Sequence, residues 1–186
     1  MSLCGSCLQQ PPPFERAVAA FDYGFPWDRL IAEFKFRQRV ELGRALAQRL
    51  CARLLADEGE ALGGVALITA VPLSATRLRE RGYNHSWEIA RRLGRRLSLP
   101  ARHDTLLRWR DTPHQIALDR SERAANLRGA FMPAPGARAL VAGQRIALVD
   151  DVLTTGATAA EATRALLEAG AESVHVWLLA RTEPRS

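Results

Sequence analysis

The chain has 186 residues, 47% of them hydrophobic and 25% charged, which suits one globular domain with at most a small appendage. No apolar run reaches the roughly 18 residues a membrane helix needs, and the N-terminus lacks the basic-then-apolar layout of a signal peptide, so no membrane insertion and a cytoplasmic location are expected. The net charge of +6 is carried almost wholly by arginine, with Lys35 the only lysine; it permits a phosphate-rich partner, but an arginine-favouring genome would give the same bias.

Three cysteines are too few and too uneven for a disulfide scaffold. Cys4-x-x-Cys7 supplies two ligands where a structural zinc site needs four, so tight zinc binding by one chain is not expected. Zinc shared between two chains would make a homodimer contact. Gln9-Gln10-Pro11-Pro12-Pro13 reads as a linker, which sets residues 1–13 apart from the domain over 14–186. Residues 14–38 are aromatic-rich, with a short helix expected around Asp28–Phe36. In this stretch Lys35 either contacts phosphate or snorkels from an apolar face.

From Glu41 to Ala56 the residues Leu42, Leu46, Leu50 and Leu54 recur every fourth position and mark a helix, with Cys51 a small buried hydrophobe. The run Val65–Val71 reads as a buried strand ended by Pro72. An arginine-rich loop follows, carrying Arg77, Arg79 and Arg81, and then an amphipathic helix over Ser86–Leu97. Asp104–Trp109 reads as an edge strand. Asp119 with Glu122 has the form of a capping box, opening a helix that sets Arg123 and Asn126 on one face. Pro133 to Gly143 reads as a linker-like loop. Arg145–Val149 is a buried strand, Thr158–Ala169 a helix ended at Gly170, and Ser173–Leu179 the next strand. Strand, helix and strand at this spacing form a βαβ unit, so the sheet is expected to be parallel. His85, His103 and His175 have no partner that the sequence reveals.

Between that last helix and the strand before it lies Val149-Asp150-Asp151-Val152-Leu153-Thr154-Thr155-Gly156-Ala157-Thr158. Open α/β sheets bind ligands outside the carboxyl ends of their strands, where the next helix offers free N–H groups and a positive dipole end. Gly156 and Ala157 allow close approach of an anion, and Thr154, Thr155 and Thr158 add hydroxyl donors. Two carboxylates just before a phosphate cradle would repel phosphate. They make chemical sense if they meet sugar hydroxyls or a magnesium ion. The plainer alternative is a strand-end turn followed by threonine capping.

This string resembles the phosphoribosyl pyrophosphate (PRPP) signature of type I phosphoribosyltransferases. The resemblance implies a Rossmann-like α/β fold, with a central, mainly parallel sheet flanked by helices and a small N-terminal hood over about residues 14–40. It also implies that Asp150 and Asp151 bind the ribose hydroxyls and that Thr154–Thr158 hold the 5-phosphate, with Mg2+ bound through the ligand near the acids. In such proteins the loop after the first core strand meets pyrophosphate, which points to Arg77 and Arg81, and Lys35 joins them as a candidate; Arg123 and Asn126 are candidates for a lid.

A second set of segments widens the match. Val71-Pro72-Leu73, Arg77-x-Arg79-x-Arg81-Gly82-Tyr83-Asn84, Thr112-x-x-Gln115 and Glu122-Arg123-x-x-Asn126-Leu127-Arg128-Gly129-Ala130-Phe131, in this order, resemble the ComF/GntX family. Its members are phosphoribosyltransferase-like proteins associated with competence and usually carry an N-terminal zinc ribbon with two cysteine pairs, of which residues 1–13 look like a remnant. The implied function is binding of a phosphoribosyl ligand in DNA uptake, with single-stranded DNA as a further partner. A nucleobase-salvage transferase that releases pyrophosphate is the alternative.

Overall fold

The computed structural model describes residues 11–37, 39–56, 60, 62–110 and 127–182. Strand β1 (Arg16–Asp22) opens the chain, followed by helices α1 (Trp27–Phe36) and α2 (Leu42–Leu55). Strand β2 (Val65–Ala70) leads into a short helix α3 (Ala75–Arg81) and a longer α4 (His85–Leu97). A ribbon of β3 (Leu106–Arg108) and β4 (Phe131–Pro133) precedes α5 (Ala137–Val141). Strand β5 (Arg145–Leu153), helix α6 (Ala157–Glu168) and strand β6 (Ser173–Arg181) complete the described chain.

The main sheet has the order β1-β6-β5-β2 with every pair parallel. Alternation along the inner strands divides the core into two faces, as the pleat requires. Ala147, Val149, Trp177 and Leu179 face one side with Leu46, Leu50, Leu54, Ile89 and Leu93 of α2 and α4. Ile146, Leu148 and Val174 face the other with Ala162, Ala165 and Leu166 of α6. Helix α4, which comes after β2, therefore covers one face with α2, and α6, which follows β5, covers the other. After α4 the chain returns beside β2 on the side away from β5, Ala101 bridging Ile68 in parallel, whereas α6 leads from β5 to β6 on the other side. The carboxyl ends of β2 and β5 therefore open a crevice at a topological switch point, where such sheets bind ligands.

The expected mainly parallel α/β sheet is present, and several details differ from the sequence reading. The segment expected as a hood contributes β1 to the edge of the sheet, where it pairs with β6 from Arg16 opposite His175 to Asp22 opposite Arg181. The arginine-rich segment after β2 is a helix. Ser74 caps it by accepting from the Arg77 N–H, and Gly82, at φ +77°, ends it in the left-handed conformation that glycine tolerates. Strand β3 lies off the main sheet and pairs antiparallel with β4, Leu107 opposite Met132. The stretch read as a linker holds the end of β4 and helix α5, whose Ala137 and Val141 are buried. Strand β5 runs four residues past Val149, so both acids belong to the strand end. Cys4, Cys7, Thr112, Gln115, Asp119, Glu122, Arg123 and Asn126, and with them the zinc and lid expectations, lie outside the described residues.

Candidate functional site

Three elements meet at the carboxyl end of β5. The strand delivers Asp150 and Asp151; α4 delivers His85 and Ser86; α1 delivers Lys35 in its last turn. Asn84 fixes the second of these. Its side-chain oxygen accepts from the N–H groups of Ser86 and Trp87, and its Nδ2 donates to the carbonyl of Val71 at 3.0 Å. The cap thus ties the start of α4 to the end of β2 and turns His85 and Ser86 toward the acids.

Asp151 is buried and well partnered. Lys35 Nζ lies 2.8 Å from its Oδ2, His85 Nε2 meets the same oxygen, and the Val152 N–H donates to Oδ1 at 2.5 Å. Burial works against its charge, but the Lys35 ammonium and the His85 ring outweigh that and hold the carboxyl below the usual carboxylate range. Asp150 Oδ1 accepts from Ser86 Oγ at 3.2 Å and from the Asp151 N–H at 2.9 Å. Burial, with the charge of Asp151 beside it, pushes the Asp150 carboxyl up to about 7. Adjacent carboxylates in one site titrate as a pair, the better solvated by cations ionising first.

The raised Asp150 value makes stability depend on pH. A carboxyl at about 7 when folded and 3.8 ordinarily holds its proton more tightly in the folded state. Its contribution is complete below about pH 4 and is lost as pH rises through 7. Asparagine at 150 keeps an acceptor for Ser86 and cannot ionise. In chelator-treated protein, Asp150→Asn is expected to be as stable as the parent near pH 4 and more stable by roughly 1–3 kcal/mol near pH 8. Urea midpoints across that range check it; a difference that does not grow with pH would refute it.

The loop into α6 lies next along the chain. Gly156 precedes α6 at φ +77°, and the helix start has no side-chain cap; the Thr155 hydroxyl accepts only a long bond, 3.4 Å, from the Ala157 N–H. Thr182 anchors the loop from β6, its N–H donating to the Leu153 carbonyl at 3.0 Å. Thr154 is exposed, while Thr155, Gly156, Ala157 and Thr158 are half-buried. Free first-turn N–H groups on a twelve-residue helix suit an anion.

Across the crevice, Arg81 is half-buried, with its guanidinium 4.7 Å from the centre of the Phe36 ring and Nη1 3.2 Å from His85 Nδ1. Burial lowers the Arg81 value, and guanidinium remains a cation even so. Arg77 is half-buried in the preceding turn of α3, and Arg79 is exposed. The structure therefore brings together Lys35, Arg81, Asp150 and Asp151. It adds His85, Ser86 and Tyr83, whose hydroxyl donates to the Phe34 carbonyl.

Among the described residues, the group able to hold a metal ion is His85, Asp150 and Asp151, each offering one ligand atom within 4.8 Å of the others. Magnesium prefers oxygen ligands and keeps several waters. His85 Nε2 and Asp151 Oδ2 are engaged with each other, and Lys35 shares that oxygen. The remaining carboxylate oxygens fit a magnesium ion carried on a ligand rather than an all-protein cage.

Paired acids at a strand end and an uncapped, glycine-opened helix thus lie side by side at the carboxyl end of the sheet. The phosphoribosyl transferase domain family matches residues 84–185. The DNA utilization protein YhgH of Salmonella typhi is 39% identical over 181 residues, 96% of this chain and 78% of that protein. Competence protein F of Haemophilus influenzae is 35% identical over 179 residues, again 96% and 78%. Among solved structures, the glutamine PRPP amidotransferase of B. subtilis, complexed with ADP and GMP, is 25% identical with a TM-score of 0.46, over 76% of this chain and 26% of that one. The chain belongs to the phosphoribosyltransferase family, among its ComF-like members.

Proposed function

We propose that this protein binds PRPP or a related phosphoribosyl end together with Mg2+, and that it acts in the handling of incoming DNA. The observation that carries the ligand is the order of groups along one strand-to-helix turn: two acids, then an uncapped helix start behind Gly156. In this reading Asp150 and Asp151 accept hydrogen bonds from the ribose hydroxyls. The N–H groups of α6, with Thr154, Thr155 and Thr158, hold the 5-phosphate. Arg77 and Arg81 donate to the pyrophosphate, where forked guanidinium geometry suits paired oxygens. Magnesium, when bound with the ligand, supplies charge neutralisation at the pyrophosphate. Titration calorimetry with PRPP and magnesium tests binding, and pyrophosphate release with a panel of nucleobases tests transfer. Release with one base would favour a salvage enzyme.

The DNA half of the proposal is supported by the names of the relatives and by the net charge of +6. Single-stranded DNA is expected to bind with an affinity that falls steeply with salt, because arginines that neutralise phosphates release counterions. Replacing Arg77, Arg79 and Arg81 by alanine is expected to flatten the slope of log affinity against log salt by about 2, at roughly 0.7 for each phosphate no longer neutralised. Fluorescence anisotropy with a labelled oligonucleotide measures it; an unchanged slope would remove α3 from the DNA surface. No helix among the described residues is long and apolar enough to cross a membrane.

A further inference from the structure

The least expected member of the site is His85, buried at 3% exposure with both ring nitrogens in use. Its Nδ1 faces Arg81 Nη1 at 3.2 Å, and its Nε2 faces Asp151 Oδ2. The ring meets Phe34 in a T-shaped contact, centroids 6.4 Å apart and planes at 89°. A guanidinium nitrogen can only donate, so Nδ1 must accept, which leaves the ring proton on Nε2, directed at the carboxylate. The partners alone assign the tautomer. A doubly protonated ring would turn an N–H toward the guanidinium, and the opposite tautomer would set a lone pair against the carboxylate.

The geometry points to His85 as a positioning residue: a one-donor, one-acceptor link that holds Asp151 in its ribose-binding orientation and couples it to Arg81 at the pyrophosphate end. This rests on the PRPP reading above. Second contacts of this kind fix the orientation of a group that itself touches the ligand, as they do around metal ligands. Lys35 supplies charge to the same carboxylate oxygen, but a flexible ammonium fixes no plane. The imidazole, wedged between Phe34 and the strand end, does. Arg81 and Asp151 meet opposite nitrogens of one ring, so a change in the placement of that ring is felt by both.

The test compares PRPP affinity, with magnesium, across the parent protein, His85→Ala, His85→Gln and Asp151→Asn. Glutamine offers one donor and one acceptor without the ring. His85→Ala is expected to weaken PRPP binding roughly ten- to a hundredfold, as removal of a supporting partner typically does, with His85→Gln recovering most of it. In the parent, long-range nitrogen–proton NMR is expected to show His85 with its proton on Nε2 before any ligand is added. Replacement of Arg81 by alanine should disturb the Nδ1 signal of that ring. Unchanged affinity in His85→Ala overturns the proposal, as does His85→Gln binding no better than His85→Ala, since ring packing alone would then account for the effect. A proton found on Nδ1 overturns it also. If the parent binds no PRPP, the ligand reading fails and the proposal with it. If the parent binds and Asp151→Asn does not, while His85→Ala does, only the proposal fails.

Discussion

At about a hundred times its dissociation constant, PRPP with magnesium is expected to raise the melting temperature by roughly 5–10 °C, and Asp150→Asn combined with Asp151→Asn to abolish the rise. A ligand selective for the folded state contributes about 2.7 kcal/mol at that excess, and each kcal/mol is worth roughly 2–4 °C for a chain of this size. The double variant removes both charges facing the proposed ribose and magnesium but leaves acceptors in place. Ser86 Oγ and the N–H groups of Asp151 and Val152 can still donate to side-chain carbonyls at 150 and 151. Lys35 loses its counter-charge, yet its side chain is already 20% exposed and can turn toward solvent. Far-UV circular dichroism of the unliganded variant should match the parent. A full thermal shift in the double variant would show that the acids do not hold the ligand.

Phe34→Ala is expected to cost roughly 3–5 kcal/mol of folding stability and to weaken PRPP binding as well. The ring is fully buried and forms the wall on which the cationic side of the site rests. It meets Tyr83 and His85 edge-on, with centroids 6.0 and 6.4 Å away. Helix α2 comes so close that a Cβ on Gly43 would lie 3.1 Å from the ring. Truncation leaves a cavity between α1, α2 and α4, and the next residue along α1 is Lys35, whose reach to Asp151 depends on that packing. Urea unfolding with and without ligand separates the two effects. A cost below about 1 kcal/mol would mean that the neighbouring side chains collapse into the gap.

How much of the molecule is legible in its sequence depends on whether the signal is local. The leucine stripe of α2 and the βαβ unit around α6 follow from side-chain periodicity, and both appear close to the expected positions. Strand β1 is not readable in this way. Among Arg16–Asp22 only Val18 is buried, and the segment is a strand because it pairs with a strand that begins more than 150 residues later. Helix α3 is marked by Ser74 and Gly82, two cap signals masked by the density of arginines between them. Asp150 and Asp151 stand out by their company, whereas His85 does not, since nothing local says which way the first residue of a helix points. The signal lies in Asn84, whose capping side chain also grips the Val71 carbonyl and so fixes that direction.

The pairing of β1 with β6 also sets an order of events during synthesis. Arg16 leaves the ribosome long before His175, its partner across the ladder, and until β6 emerges β1 has no neighbour in the sheet. Helix α1, which carries Lys35 and Phe34, follows that strand directly. Closing so long a loop is slow, because its entropy must be lost before the contacts repay it. Domains are completed as their last elements emerge. Strand β1 is therefore among the last parts to find its place, and a chain interrupted after α6 would carry both acids and the loop that follows them but leave β1 without its partner.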